Sequence, residues 1–574
     1  AVSPGTSLTI SMRLRNLGDA TSTSFWIRFY VSTDATITTL DKSIGAKQIA
    51  SIGSYASIDV VHSLTFPSNV AAGTSYYLGW VIDSDKQVAE SNENNNTGLA
   101  PEKIWVITRR TRVFLPNPMN AANNPALRDG NDSNDAIPFS AYTEVTLDRL
   151  DPKAGGLYTL KGPCVEMRDI EPPSNAVPSS ADNIFCFLRA DDPFEEVMCF
   201  YHIVEAQKYI QSLGFNNVCN RRIHVDAHGL SAANNSHYAC NDTYPLGQGF
   251  IAMGGGSSGI PDHAEDADTI LHEYGHSVQD NQSPLRYFGR GNVGYGNETG
   301  AMDEGFADYF AASRTFERSL LHSFDPAIVG EWASAEWARR VDTPKRYPDS
   351  MWSLVHEDGE IWSACLWEMM LGLGQRVADS IIIQSHYLVP PDPLFIDGAQ
   401  AILAADQVLY GGANRDFITD LFYRRGIIRM DLRDEGESTS SFTPLIVGLT
   451  YPITIQCRTL NAEANCETGP FVVRFYASED ADITSSDHLL GQAAVESIPP
   501  NTSALCRWSG RLPASVSFGL YYIGWIIDAD NQVKELFETN NIVCKTSYRL
   551  KVQPAPLIAI DPPEIGRASC RERV

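Results

Sequence analysis

Over the first hundred residues, β-branched and aromatic residues recur in short runs with period-two alternation. Clusters of Asp, Asn, Gly and Pro break these runs about every ten residues. This pattern predicts an all-β sandwich, and it returns near the other end. FWIRFYVSTDATIT (Phe25 to Thr38) is matched by FVVRFYASEDADIT (Phe471 to Thr484) at an offset of 446. YYLGWVIDSDKQVAESNENNN (Tyr76 to Asn96) is matched by YYIGWIIDADNQVKELFETNN (Tyr521 to Asn541) at an offset of 445. One module is therefore used twice, over 1–100 and 438–550.

Between the copies the pattern changes twice. Residues 101–195 are rich in Pro, Asn, Asp and Thr, with short alternating stretches such as YTEVTLDRL (Tyr142 to Leu150) and LYTLKGPCVEM (Leu157 to Met167). They predict β-structure and loops. From Phe194 onward, Val197, Met198, Tyr201, Ile203, Val204, Ala206, Tyr209, Ile210 and Leu213 make one apolar helical face that stops at Gly214. Helices are then expected to dominate to about residue 430, giving a mainly helical core over 196–437.

The chain of 574 residues is long enough for three or four domains. Its 44 Lys and Arg against 70 Asp and Glu give a net charge of −26, of which −21 falls in residues 101–440. With no basic run or stripe, nucleic acid and anionic membranes are poor partners. No run of apolar residues is long enough to span a bilayer. The first residues show neither a Met nor a signal-peptide pattern, so the true start is expected to be missing or already removed. Residues 551–574 read as a tail, in which EIGRASCRERV (Glu564 to Val574) looks like a translated sequencing adapter; it is set aside with Cys570.

The other ten cysteines are absent from the first hundred residues and fall six in the middle and four near the end. No CxxC pair occurs. Even counts in each block favour disulfides and an oxidising compartment. Where the second copy has Cys457, Cys466, Cys506 and Cys544, the first has Ser11, Ala20, Val60 or Val61, and Leu99, as suits an added staple.

The chemistry concentrates between residues 235 and 360. In DADTILHEYGHSVQD (Asp266 to Asp280), Ala267, Ile270, Leu271, Tyr274 and Val278 mark one buried stripe of a helix. His272 and His276 then stand one turn apart on one face, spaced to grip a zinc ion at about 2.0–2.1 Å each, with Glu273 beside the metal. The metzincin third ligand would fall on Gln282 and its glycine on Gln279, which excludes that subclass. In YGNETGAMDEGFAD (Tyr295 to Asp308), Glu304 is read as opening a second helix, with Asp308 one turn later; Glu304 would complete three protein ligands and Asp308 would orient an imidazole. His224 and His228 lie in a segment that alternates like a strand, so they do not share an ion. His202, on an apolar helix, reads as a packing residue. GGGSSG (Gly254 to Gly259) has no Lys and reads as a loop rather than a phosphate cradle.

These strings resemble the gluzincin clan. Tyr295, Asn297, Glu298, Gly300, Ala301 and Glu304 match the YxNExGAxxE stretch of its thermolysin-like members. LVHEDGEIWSACLWEM (Leu354 to Met369) and FIDGAQAILAADQVLYGGANRDFITDLFYRRGI (Phe395 to Ile427) look like the fungalysin family, particularly its bacterial secreted members, and the likeness runs from about residue 110 to 430. The resemblance implies a multidomain protein with an α+β, thermolysin-like zincin module. It makes His272, His276 and Glu304 the zinc ligands, Glu273 the general base, and His356 and Tyr295 the groups facing the developing oxyanion. It makes Asp308 the partner of His272, and it sets Asn235 where an edge strand pairs with substrate backbone. The clan's usual Asp before the catalytic His falls on Met351, with Asp349 nearby. Asp268 matches a calcium ligand of the clan, which adds Ca2+ to Zn2+ as an implied cofactor.

The two β-modules, above all their DxDxQVxExxExNN endings, resemble CARDB adhesion-related modules, which implies two immunoglobulin-like sandwiches flanking the peptidase. Asp83, Asp85 and Glu90, and likewise Asp528, Asp530 and Glu535, read first as solvated turn residues, with calcium as the alternative. The expected function is a secreted zinc endopeptidase acting on protein or peptide substrates, outside the cell or at its surface, whose sandwiches tether it or recruit surface or matrix ligands. The competing reading is a noncatalytic adhesion protein with an inactive peptidase-like domain.

Overall fold

The computed structural model describes residues 2–554 apart from 71–72, 242, 246, 257–258, 284–297, 323, 334–337, 437–439, 463 and 536. Two compact units divide the chain: residues 1–345 with 349–411, and residues 346–348 with 412–574.

The first unit begins with strands β1 (Ser7–Arg15), β2 (Phe25–Ser32), β3 (Lys42–Ile49), β4 (Ser57–Thr65), β5 (Thr74–Ile82), β6 (Thr97–Leu99) and β7 (Ile104–Val106). β1 pairs with β4, and a second sheet runs β3-β2-β5-β6 with β7 also on β5. The period-two pattern works here as expected: Phe25, Ile27, Phe29 and Val31 of β2 point inward against Val60 and Leu64 of β4.

The peptidase region of the same unit contains a four-stranded sheet that the sequence pattern only partly announced. β8 (Val165–Met167), β9 (Ile223–Asp226), β10 (Ser236–Ala239) and β11 (Phe250–Met253) are ordered β8-β9-β11-β10. β8, β9 and β11 are parallel, and β10 closes the order antiparallel to β11. Helices still make up most of the regular structure between residues 194 and 430, as the sequence pattern predicts.

Helix α1 (Pro193–Ser212) starts on a proline and is followed by Gly214 at φ +104°, the stop read from sequence. Helix α2 (Ala267–Gln282) is capped by Asp266, whose side chain accepts from the N–H of Asp268. Helix α3 (Glu298–Leu321) packs beside it, and helix α4 (Val355–Leu373) packs against α3. Glu304 thus sits well inside α3 rather than at its opening, a correction to the expectation.

Two glycines let these helices approach. A Cβ on Gly275 of α2 would sit 2.9 Å from the Ala307 Cα of α3, and one on Gly305 of α3 would sit 2.4 Å from the Gly359 carbonyl oxygen of α4. Gly305→Ala is expected to cost about 1–3 kcal/mol by overpacking and to weaken metal binding by displacing Glu304. Thermal melts with and without Zn2+ check it.

His202 of α1 is buried and donates from Nε2 to the Phe114 carbonyl at 3.0 Å, the packing role read from sequence. Burial lowers its pKa to about 4, outweighing that hydrogen bond. Its contribution is therefore complete above the unfolded value of about 6.5 and is lost as pH falls toward 4, where only the unfolded chain binds the proton. His202→Gln keeps a donor for Phe114 and removes the titration. Urea unfolding at pH 7.5 and pH 4.5 should show the acid loss smaller by roughly 2–3 kcal/mol in the variant.

In the second unit, strands Pro452–Asn461, Phe471–Ser478, His488–Val495, Ser503–Arg511 and Gly519–Ile526 repeat β1 to β5. Phe471–Ser478 has the same burial alternation as β2. Its register shift between Phe475 and Tyr476 reproduces the one between Phe29 and Tyr30. Asp83 and Asp528 take the same positive φ and spend both carboxylate oxygens on main-chain N–H groups of their own turns. Asp85 pairs with Arg28 and Asp530 with Arg474, while Glu535 accepts from the N–H of Leu432 and from Asn541. Each turn thus engages most of these acids within the protein.

Cys457 and Cys506 face each other in register, as Ser11 and Val61 do in the first module. The disulfide expectation is corrected: Cys164, Cys186, Cys199, Cys219, Cys240, Cys457, Cys466 and Cys506 are free thiols. Most of these are buried, where cysteine packs as a small apolar side chain, so even counts carried no pairing information.

Candidate metal centre

Helical geometry puts His272 and His276 on one face of α2, with their Nε2 atoms 3.1 Å apart. Glu304 of α3 reaches across with Oε2 at 3.3 Å from His272 Nε2 and 3.7 Å from His276 Nε2. These three side chains are only 7%, 11% and 10% exposed, so solvent screens them little. Glu304 Oε2 is buried and accepts no hydrogen bond.

Carboxylates behind the imidazoles fix which nitrogen faces inward. Asp308, fully buried one turn after Glu304, lies 2.8 Å from His272 Nδ1, and Asp303 lies 3.0 Å from His276 Nδ1. Protons held at both Nδ1 atoms leave two Nε2 lone pairs converging with a carboxylate oxygen, an arrangement that is repulsive without a cation among them. Without an ion, protons on the imidazoles supply that positive charge instead. Burial raises the Glu304 carboxyl, yet His276 and His272 outweigh it and bring it down to about 2. Burial lowers His276, yet Asp303 and Glu304 outweigh it and lift it to about 10. The donor set of two imidazoles and one carboxylate fits a divalent transition ion such as zinc.

Arg339 and Asp303 were missed in the sequence. Arg339 Nε binds Asp308 at 2.7 Å, and its guanidinium sits against His272. It comes from the two-residue strand Arg339–Arg340, whose surroundings carry no period, so nothing in the sequence singled it out. Asp303 had a signal, since it precedes Glu304 on the same helix and neighbours its face.

The other expected residues distribute as follows. A cavity of about 360 Å³ is lined by Glu273, Glu304, Arg339, His356 and Asn235 among others. Glu273 is buried, the residue after His272 on α2. His356, in the first turn of α4, is 57% exposed on its side chain and has Nε2 3.3 Å from Glu304 Oε2. Asn235 immediately precedes β10, the terminal strand of the sheet. Tyr295 and Asn297 lie outside the described residues. Asp268 is buried near Glu331 and Asp266.

Comparisons with known proteins cover the segment that holds this site. Residues 222–428 match the fungalysin metallopeptidase (M36) family, and residues 1–99 match the CARDB family. The extracellular metalloproteinase MEP of Pyricularia oryzae is 25% identical over 370 residues, 55% of this chain and 55% of that protein. Extracellular metalloproteinase 4 of Arthroderma gypseum is 28% identical over 233 residues, 34% of this chain and 35% of that one. The chain spans about half the length, or less, of these curated relatives. A crystal structure of the CARDB domain of the PF1109 protein from Pyrococcus furiosus, in complex with di-metal ions, is 20% identical over 22% of this chain and 96% of that one, with a TM-score of 0.17. No helix among the described residues is long and apolar enough to cross a membrane. The chain therefore carries a fungalysin metallopeptidase (M36) domain within residues 222–428, behind a CARDB domain at residues 1–99.

Proposed function

We propose that the chain is a secreted zinc-dependent endopeptidase, with His272, His276 and Glu304 holding the ion and Glu273 as general base. The observation that carries this reading is the convergence of both Nε2 atoms and the buried Glu304 Oε2. The peptidase module spans 101–437 in a thermolysin-like α+β arrangement, with its β-rich part at 101–195. Immunoglobulin-like modules at 1–100 and 438–550 flank it and contact surface or matrix ligands.

A zinc ion bound at this set supplies positive charge that polarises a peptide carbonyl and makes water acidic enough to act as a nucleophile near neutral pH. Glu273 accepts the proton from the attacking water and delivers it to the leaving amine. His356 and Tyr295 donate to the oxygen that gains charge, a contribution of about 2–4 kcal/mol for one donor. Asp308, itself held by Arg339, keeps His272 in the Nδ1–H tautomer. Asn235 and the adjoining strand β10 align an extended substrate by β-pairing.

Casein cleavage before and after chelation tests this. Activity is expected to vanish with the metal and to return on adding Zn2+. Chelator-insensitive cleavage overturns the metal mechanism, and a folded, zinc-loaded chain that cleaves nothing favours the adhesion reading.

A further inference from the structure

A second cluster lies outside the peptidase cavity, at the first turn of α1 and just past the end of β9. One ligand atom each from Glu195, Glu196 and His228 lie within 4.8 Å of one another. His228 Nε2 is 3.5 Å from Glu196 Oε2, 4.0 Å from Glu195 Oε2 and 2.9 Å from the Asp192 carbonyl oxygen. Glu195 and Glu196 are 3% and 4% exposed, and neither Oε2 accepts a hydrogen bond. Two such oxygens left bare in the interior are costly, and the peptidase chemistry uses neither.

The neighbours do not relieve them. The Arg189 guanidinium is engaged by Glu265 at 2.8 Å and Asp129 at 2.6 Å. The Asp226 carboxylate accepts from the N–H groups of Ile170, Glu171 and His228. Asp262 caps a short turn through the Ala264 N–H and adds negative charge. Burial, then Asp262 and Glu265, push the Glu195 carboxyl well up. Burial lowers His228, but Glu196 and Asp262 outweigh it and hold it up at about 9. The cluster is short of positive charge.

We propose that Glu195, Glu196 and His228, with the Asp192 carbonyl, form a second divalent-cation site, separate from the His272 centre, that takes Zn2+ or Mn2+ in preference to Ca2+. Neighbouring ligands of an ion bound at about 2.1 Å lie roughly 3 Å apart, close to the 2.9 and 3.5 Å found here. An imidazole among the donors favours Zn2+ or Mn2+, whereas Ca2+ is served by oxygen alone. Loading requires His228 Nε2 to release its proton to solvent, so that its lone pair faces the ion. The bound ion joins the start of α1 to the exit of β9.

The test is metal stoichiometry of the full chain after dialysis against Zn2+ or Mn2+, in a His272→Ala/His276→Ala background that disables the first site. One equivalent is expected to remain and to disappear when Glu196→Gln and His228→Gln are added. No retained metal in the background, the same stoichiometry with and without the added pair, or retention of Ca2+ alone would overturn the assignment. Should the added pair unfold the chain, Glu195→Gln decides: Zn2+ is expected to raise the melting temperature of the background and not of this variant, and an equal rise in both contradicts the site.

Discussion

Glu273→Gln is expected to lower kcat/KM for peptide cleavage by about 10²–10⁴-fold while leaving metal content and melting temperature essentially unchanged. Glu273 follows His272 on α2, so its side chain is rotated about 100° from the ligand and lines the cavity without joining the ligand cluster. Glutamine has nearly the same shape but cannot accept the proton of attacking water. The variant thus separates metal binding from base catalysis. A variant that cleaves as fast as the parent would remove Glu273 from the mechanism, and one that lost its metal would make it a ligand.

Glu304→Ala is expected to abolish cleavage by emptying the site, with metal affinity lowered by more than the 10–100-fold typical of residues that only orient ligands. The carboxylate is the one anionic member of the set, and it also faces His356. Its loss leaves two neutral imidazoles as the remaining protein ligands, with no anion among them to offset the charge of the ion. Asp308→Asn, acting through the His272 tautomer, should fall inside that 10–100-fold range. Competition with a chromogenic zinc chelator measures both. A larger loss for Asp308→Asn than for Glu304→Ala would reverse the roles assigned here.

The site was legible where chemistry coincided with a period. His272 and His276 share a helix, and the apolar stripe of α2 fixed their common face before any coordinates. The repeat was legible for the same reason: alternation in Phe25 to Ser32 and Phe471 to Ser478 carries through to matching burial and a matching register shift. What escaped depends on contacts distant in sequence. Arg339 reaches Asp308 from a two-residue strand, and the four-residue strands β10 and β11 are too short for a period to register. Glu304 was found, but its depth within α3 was not, because the helix begins at Glu298 with no separate signal. Cysteine counts misled for a related reason, since a buried thiol and half of a disulfide look alike in sequence.

The whole account rests on one ion held by two helices. X-ray absorption at the zinc edge of the purified chain carrying Glu196→Gln and His228→Gln, repeated with His276→Ala added, addresses that directly. The account predicts a first shell of nitrogen and oxygen at about 2.0–2.2 Å with two imidazoles, reduced to one in the variant. A sulfur-containing shell, or one that His276→Ala leaves unchanged, would contradict it.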